Sequence, residues 1–577
     1  MSRAHWLRHP PRIVVLATIG FLALVVAWSV LTPLAEAPDE PAHLGLILDV
    51  AQHDGAYPQY DALPQKEGAF ALCQAYAVSV KWCPTKTELA HHTVVRARPA
   101  DEAPPKSSRP QWDAGTFTKA VPGRMNQMPQ HPPLYYEVMA GALRLERGLT
   151  PGHWSVDHEL AYLRLINALL LLPLPFLAWA AARRAGADDL VGSVAAVSML
   201  GIPQLTHIGG ALNNDNLFAT VVGVLAVLLA GVARGDRSRR TAVLVGVAAA
   251  AALLTKGFAV VLPPVIVLAY LVGERARITD VAGRLRAWVD AARAAMGPLV
   301  VAGLVTIIGA GWWYVGKVAT TGQVMPSIEN HRLTAKLKAI GFHPSFGHYL
   351  SSLVSKVVEG FWGAYGWRSV KLPVPMSWAA TIVSFAFLVI AWRRARPALE
   401  TGETGAARSS TASVSKGMIA ACVTPIAAFA AFVVIRSWVI YTGTSRLAFQ
   451  QGRYLFAGLV GVAVVTASGA VQVVGRRRIL PITAAAVVVI QAVGILAAYH
   501  GWWALGLRTG FVQPVRATVA WSGWPDPLAL VLLLLPAIPV ALLLRQVWLD
   551  RSRWADDAVA AEVPTTSGPV PEPASVG

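Results

Sequence analysis

The chain has 577 residues, of which 55% are hydrophobic and 14% charged, and its mean hydropathy is +0.49. This balance excludes an ordinary soluble enzyme and indicates an integral membrane protein. Lys and Arg exceed Asp and Glu by 50 to 32. The basic clusters are short and adjoin apolar runs, as in cytoplasmic membrane loops, so we expect no nucleic-acid partner.

A helix needs about 20 mostly apolar residues to cross the hydrocarbon. About twelve runs meet this requirement, and we predict an all-α, polytopic bundle of about twelve transmembrane helices over residues 1–546. The runs lie near 12–34, 159–182, 189–207, 210–233, 240–256, 257–273, 297–316, 375–393, 417–440, 454–474, 479–499 and 526–546.

The basic clusters decide the predicted orientation. If the N-terminus is cytoplasmic and the number of spans is even, every cluster falls on the cytoplasmic side. We therefore predict a multi-pass plasma (inner) membrane protein with both termini inside. Long segments at 35–158 and 317–374 then lie outside, 396–416 is a cytoplasmic linker, and 547–577 has the composition of a disordered tail.

Two local features of the first outside segment leave alternatives open. Ala35-Glu36-Ala37 imitates a signal-peptide cleavage site, but the apolar run is long and Pro38 follows directly, so we favour an uncleaved first helix. Cys73 and Cys83 lie in the same segment, and a disulfide between them stays an open question. We interpret Cys422 as packing inside a helix.

The first motif is "LTPLAEAPDEPAHLGLILDV", residues 31–50, where an apolar helix ends in Asp39-Glu40, followed by His43. A carboxylate where a helix leaves the membrane is partly desolvated, which favours a general base. The alternative is that the two acids only cap a following helix that begins at Pro41.

The second motif, "QMPQHPPLYY" at 127–136, presents His131 next to two prolines that fix the backbone. The third, "ALNNDNLFA" at 211–219, places Asn213, Asn214, Asp215 and Asn216 at the start of an apolar span. Such a polar cluster is costly in lipid and has to face protein, water or substrate. Capping of the helix explains one or two of its members.

The remaining motifs supply cations. Lys256 in "LLTKGF" lies between two apolar runs, either snorkelling to the interface or meeting a lipid-linked phosphate. Arg453 in "SRLAFQQGRYLF" enters a span from the outside, where its guanidinium could bind two phosphate oxygens. Gly452 would let that phosphate approach the backbone, and Tyr454 follows it. On the predicted topology all five motifs share one membrane face, which suits transfer of a group from a membrane-embedded phosphate to a hydroxyl.

These motifs resemble known families. "DEPAHLG" and "HPPL" are similar to motifs in the first outer loop of protein O-mannosyltransferases, members of the C-type (GT-C) glycosyltransferase superfamily. With "NNDN" and "QGRY" added, the chain resembles, from about residue 13 to about 545, a bacterial multi-pass family known as domain of unknown function 2142. The resemblance implies a GT-C-like fold.

The superfamily resemblance also implies roles for particular residues. Asp39 would be the general base on an acceptor hydroxyl, with Glu40 assisting it or holding a metal. The donor would be a polyprenyl-phosphate-linked sugar, transferred with inversion to a cell-envelope glycan, lipid or protein. From the residues themselves we expect Arg453, Lys256 and His131 to neutralise the leaving phosphate and the cluster Asn213–Asn216 to hold sugar or carrier. The predicted substrate-binding residues are His43, His131, Asn213, Asn214, Asp215, Lys256, Arg453 and Tyr454.

Several points stay open at this level. His43 is one residue further from the acid pair than in the mannosyltransferases. A divalent metal is used by several members of the superfamily, but the sequence shows no assembled ligand set. The same basic residues would also suit a transporter or flippase of lipid-linked saccharide, which requires polar or broken segments near the bilayer midplane. A third alternative is an inactive structural partner that keeps the fold.

Overall fold

A computed structural model describes most of the chain: residues 9–52, 57–60, 63–80, 83–92, 94–111, 119–150, 154–278, 283–335, 338–395, 414–505, 510–552 and 554. Most of the predicted linker at 396–416 and most of the predicted tail at 547–577 lie outside these residues.

α-Helices make up most of the described chain. In chain order they are Arg12–Leu31, Glu40–Gln52, Glu67–Tyr76, Lys86–Ala90, Leu134–Leu149, Val156–Leu171, Leu174–Ala185, Asp189–Ser198, Pro203–Gly209, Asn214–Ala233, Arg239–Thr255, Leu262–Arg275, Arg284–Thr321, Ile328–Thr334, Phe346–Trp362, Val374–Arg393, Lys416–Thr444, Leu459–Val474, Arg476–Ala498, Val512–Trp521, Asp526–Leu534 and Ala537–Leu549.

Strands are few and short in the described chain. Pro64–Lys66 pairs antiparallel with Ala120–Met125, and Ala364–Tyr365 pairs antiparallel with Val370–Lys371. Both ribbons lie in segments that connect membrane helices, so the membrane part of the described chain is helical, as a lipid environment requires.

Ten helical segments of the described chain are long and apolar enough to cross a membrane. Asp189–Gly201 and Pro203–Gly209 would form an eleventh span, bent by 69° between the two parts. The predicted run near 240–256 is the 17-residue helix Arg239–Thr255. The twelve predicted runs therefore correspond to the ten spans, the bent pair and this shorter helix, and the predicted all-α multi-pass class is confirmed.

Prolines set several helix boundaries. Pro11 precedes the first membrane helix and Pro33 follows it, while Pro373 and Pro525 precede Val374–Arg393 and Asp526–Leu534. Proline lacks an N–H and fixes φ, so it is tolerated just before or within the first turn of a helix, whereas in a helix interior it removes one backbone hydrogen bond.

The core of the bundle surrounds the first membrane helix. Phe21 of this helix packs in one buried cluster with Trp179 and Val464 from other membrane helices. In contrast, the long helix Arg284–Thr321 exposes Ile307 and Ile308 at 66% and 78%. Large apolar side chains exposed on a membrane-spanning helix suit contact with lipid.

The connections between membrane helices gather at the two ends of the bundle. At one end, named here the basic end, short ion pairs join neighbouring connections, among them Arg184 with Asp236 at 2.7 Å and Arg476 with Asp188 at 2.6 Å. The opposite end, named the cavity end, carries the segments at 32–155, 322–373 and 504–525. These segments contact one another, for example through Arg109, whose Nη1 donates to the carbonyl of Ser522 at 2.7 Å.

The segment at 32–155 is held together by its own contacts. Its helix Glu40–Gln52 packs against Leu134–Leu149. Cys73 and Cys83 form a disulfide, which resolves the open pairing. Cys422 is a free, buried thiol within a core cluster, so the prediction of a packing role is confirmed.

Candidate functional site

A cavity of about 1490 Å³ opens at the cavity end, where the connections between membrane helices meet. Every predicted site residue except Glu40 lines it. These residues are Asp39, His43, His131, Asn213, Asn214, Asp215, Lys256, Arg453 and Tyr454.

Asp39 occupies the sharp turn between the first membrane helix and Glu40–Gln52. Its φ of +65° is left-handed, a conformation that aspartate tolerates better than most residues. Its carbonyl oxygen accepts hydrogen bonds from the N–H groups of Ala42 and His43 at 3.0 Å each, which starts the helix. The carboxylate points into the cavity, where Gln127 Nε2 donates to Oδ1 at 3.2 Å and the side chain is 26% exposed.

Two buried cations stand beside this carboxylate. Arg453 Nη2 lies 3.3 Å from Asp39 Oδ2, and Arg453 Nε lies 3.4 Å from Asp215 Oδ2. Lys256 Nζ pairs with Asp215 and lies over the rings of Phe258 and Tyr454 at 4.6 and 4.7 Å. In the described structure Arg453 Nη1 is buried with no hydrogen-bond partner, so this nitrogen can donate to a ligand oxygen.

Gly452 serves packing rather than the predicted approach of a phosphate. A Cβ at this position would collide with backbone atoms of Val357 and Phe361. Only glycine lets the helix Phe346–Trp362 come this close to the segment that carries Arg453.

The amide cluster divides into structural and cavity-lining members. Asn213 caps the helix Asn214–Ala233, because its Oδ1 accepts from Asp215 N at 2.9 Å. Asn216 Nδ2 donates to the carbonyl of Ile208 at 2.8 Å and does not line the cavity. Asn213 and Asn214 do line it. Asp215 pairs with both cations, so its carboxylate orients them and competes with any anionic ligand.

Glu40 occupies a different place from the one predicted for it. It is fully buried and does not line the cavity. Its oxygens pair with Arg164 at 2.8 and 2.6 Å and accept from Ala35 N and Leu212 N at 3.0 and 3.1 Å. Because these partners occupy both oxygens, this geometry does not support assistance to Asp39 or metal binding. Glu40 instead joins three parts of the fold behind the cavity.

His43 and His131 form a stacked pair, with ring centroids 6.4 Å apart. Nδ1 of His43 is hydrogen-bonded to the Tyr136 hydroxyl at 2.9 Å. Burial lowers the pKa of His43 well below its usual value and lowers the pKa of His131 to about 3, helped by the nearby positive charges. Both rings are therefore neutral near pH 7. The prediction that His131 neutralises phosphate charge needs correction, because a neutral imidazole offers only a hydrogen bond.

A family model described as "Predicted membrane protein (DUF2142)" matches residues 22–462. The chain belongs to the DUF2142 family. The match begins in the first membrane helix and ends beyond Tyr454, so it contains all of the predicted site residues. Among curated proteins, none matches the chain.

Two solved structures are similar to this DUF2142 chain at low sequence identity. ArnT from Cupriavidus metallidurans bound to undecaprenyl phosphate is 14% identical, with a TM-score of 0.44 over 97% of this chain and 76% of that one. The apo oligosaccharyltransferase of Archaeoglobus fulgidus is 13% identical, with a TM-score of 0.40 over 95% of this chain and 56% of that one. The roles of residues in the DUF2142 chain are argued below from its own geometry.

Glu36 is a cavity-shaping residue of this DUF2142 chain that the sequence did not reveal. Its buried carboxylate accepts from Val78 N at 3.0 Å, Ser79 N at 2.8 Å and Ser369 Oγ at 2.7 Å. Burial raises the pKa of Glu36. Ser79 and Ser369 line the cavity, so Glu36 ties two distant segments of its wall to the turn before Asp39. In the sequence, Glu36 was noticed only as the middle residue of Ala35-Glu36-Ala37, which imitates a signal-peptide cleavage site.

Arg164, the partner of Glu40, was also missed, although a signal was available. It is a single arginine inside an otherwise apolar stretch of the helix Val156–Leu171. A charged residue in a membrane helix has to face a partner, a cavity or water. Here it donates to Glu40 and to the carbonyls of Ser29, Thr32 and Pro33.

The residues of this site do not fit a divalent metal centre. Within the described chain, no three His, Cys, Asp or Glu side chains come together as a ligand group. Asp39 and Asp215 each face a guanidinium or ammonium group, whereas a metal site gathers carboxylates around an open position. We assign no step to a metal.

Proposed function

We propose that the chain is a membrane glycosyltransferase that moves a sugar from a polyprenyl-phosphate-linked donor to an acceptor hydroxyl, with Asp39 as general base. One observation carries the proposal. A partly exposed carboxylate, Asp39, lies in a large cavity at the end of a membrane bundle, next to the buried cations Lys256 and Arg453.

The two cations suit a phosphate group. Arg453 Nη1 is buried without a hydrogen-bond partner in the described structure, and a buried donor left unpaired costs about 1–3 kcal/mol. A phosphate oxygen would remove this cost and form a charge-assisted bond. Lys256 and Arg453 both pair with Asp215 and therefore lie close together. Lys256 would thus approach the same phosphate as a second positive charge.

The reaction follows from these positions. Asp39 takes the proton of the acceptor hydroxyl while the oxygen of that hydroxyl forms a bond to C1 of the donor sugar. The bond between C1 and the phosphate oxygen breaks, and its electron pair leaves with polyprenyl phosphate. The phosphate gains one negative charge in this step, and Lys256 and Arg453 stabilise that charge as it develops.

The cavity end is proposed to face the outside of the plasma membrane. The disulfide of Cys73 and Cys83 lies in a connection at this end, and disulfides persist in oxidising compartments. The opposite end gathers basic clusters, as cytoplasmic connections do. This orientation places both termini in the cytoplasm and brings the site to envelope acceptors.

Complementation of a strain that lacks the gene tests the proposal. Wild type, Asp39→Asn and the exposed control Asp101→Asn are expressed at equal membrane levels, and envelope glycans and lipid-linked sugars are quantified. We expect Asp39→Asn alone to lose a glycan and to accumulate its lipid-linked donor on the outer face. Wild-type glycan in the Asp39→Asn strain would overturn the base assignment. Donor retained on the inner face would instead indicate a transporter.

A further inference from the structure

The cavity has a second group of cations beyond Lys256 and Arg453. We name it the basic wall. It consists of Arg332, Lys356, Arg368, Lys371 and Arg436, all of which line the cavity, whereas Glu329 is the only carboxylate of the described chain that lines it besides Asp39 and Asp215.

The inner group is electrically balanced, and the basic wall is not. Lys256 and Arg453 face Asp39 and Asp215, two cations against two carboxylates. In the basic wall, Glu359 pairs from behind with Arg368 at 3.0 Å and with Lys371 at 2.8 Å. One carboxylate thus serves two of the five cations, and Lys356 donates to the carbonyl of Leu447 at 3.3 Å.

Arg436 contributes a positive charge that is not held in a direct ion pair within the described chain, although the charge of Glu329 acts on it. Its Nη2 donates to Ser327 Oγ at 3.2 Å and to Asn330 Oδ1. Arg436 lies 20 residues after the start of Lys416–Thr444, or ~30 Å along the helix, at the cavity end of this membrane helix. A charged side chain in a membrane helix has to face a partner, a cavity or water, and Arg436 faces the cavity.

Arg332 adds a further guanidinium to the same cavity. Its side chain makes no hydrogen bond or ion pair with the residues that the structure describes. A purely structural role of Arg436, holding the turn at Ser327 and Asn330, needs only a neutral donor and does not explain Arg332. The two arginines are therefore better explained by a ligand that carries negative charge.

From this pattern we infer that the second substrate, the acceptor, is an acidic glycan, a carbohydrate that carries carboxylate or phosphate groups. The inference rests on the proposed function. The donor phosphate occupies the buried inner pair, whose side chains are 4% exposed. The basic wall is more open, with the side chain of Lys371 45% exposed, and it lines the same cavity as Asp39, so a water-soluble acceptor can reach both.

Binding measurements on the full chain in lipid nanodiscs test this inference. The probes are farnesyl monophosphate, farnesyl diphosphate, oligogalacturonate and its methyl ester, which removes the carboxylate charges from the same sugar chain. The variants are Arg332→Gln/Arg436→Gln and the control Arg293→Gln, whose side chain is 78% exposed and lies far from the cavity lining.

We expect wild type to bind oligogalacturonate at least tenfold more tightly than the ester, with affinity that falls as salt rises. The double variant should lose this preference, while farnesyl monophosphate binding changes less than twofold. Equal binding of acid and ester, or an unchanged preference in the double variant, overturns the inference. If the double variant loses only the binding of farnesyl diphosphate, the inference is also overturned. The two arginines would then bind a second phosphate of the donor.

Binding of farnesyl monophosphate distinguishes a failure of this inference from a failure of the proposed function. If wild type fails to bind farnesyl monophosphate, the proposed donor site is wrong whatever the acidic sugar does. If the double variant loses all binding through misfolding, the comparison of acid with ester on wild type still decides the inference.

Discussion

Arg453 Nη2 lies 3.3 Å from Asp39 Oδ2 in the cavity at the end of the membrane bundle. The proposed base and the proposed phosphate ligand are thus paired with each other. A phosphate that binds Arg453 competes with Asp39 for the same guanidinium. Donor binding would in this way release the carboxylate of Asp39 to meet the acceptor hydroxyl.

Asp39→Asn separates these two roles. Because a general base contributes about 10²–10⁴ in rate, we expect transfer to fall by that factor. Binding of farnesyl monophosphate should stay equal or become severalfold tighter, since Arg453 loses a competing carboxylate. Isothermal titration in nanodiscs and a transfer assay measure the two quantities, with Asp101→Asn as the control. Weaker phosphate binding by Asp39→Asn would show that Asp39 orients Arg453 and does not compete for it.

The buried pair of Lys256 and Asp215 predicts a stability effect. Lys256→Met leaves Asp215 with Arg453 alone, and breaking one partner from a buried pair costs about 3–5 kcal/mol. The double variant Lys256→Met/Asp215→Asn restores charge balance and should recover most of the thermal unfolding midpoint in detergent. Monophosphate binding should still be at least tenfold weaker than in wild type. A double variant that binds phosphate normally would exclude Lys256 from the donor site.

The sequence located the site through its topology. Asp39, Lys256 and Arg453 all lie at helix ends that an even number of spans brings to one face, and the structure joins them in one cavity. The pairing of Glu40 with Arg164, 124 residues further along the chain, was not predictable in this way. Periodicity and motif spacing report on local structure, whereas partners across the fold depend on tertiary packing.

Glu40 and Asp39 are neighbours, and their substitution should have opposite consequences. Glu40→Gln leaves Arg164 buried without its counter-charge, so we expect a loss of about 3–5 kcal/mol in stability, seen as a lower unfolding midpoint. Turnover per folded molecule should stay within about threefold of wild type, because Glu40 does not line the cavity. Asp39→Asn should instead lose turnover and keep its midpoint. If Glu40→Gln keeps the wild-type unfolding midpoint but loses turnover, Glu40 takes part in catalysis as the sequence predicted.

The neutral state of His131 predicts a pH dependence of stability. Its pKa is lowered to about 3 in the fold by burial, whereas a histidine in the unfolded chain titrates near 6.5. Below about pH 6.5, His131 binds a proton in the unfolded chain but not in the folded chain. The free energy of unfolding therefore falls as the pH drops from about 6.5 towards 3. His131→Gln removes this contribution.

The unfolding midpoint in detergent should therefore fall less in His131→Gln than in wild type between pH 7 and pH 5. The difference corresponds to about 1–2 kcal/mol. His92→Gln, at an exposed turn position of the same connection, serves as the control and should follow wild type. If His131→Gln and wild type lose stability equally, the imidazole takes up a proton in the folded protein over the same pH range as in the unfolded chain. Below about pH 6.5 His131 would then add a third positive charge to the proposed phosphate site.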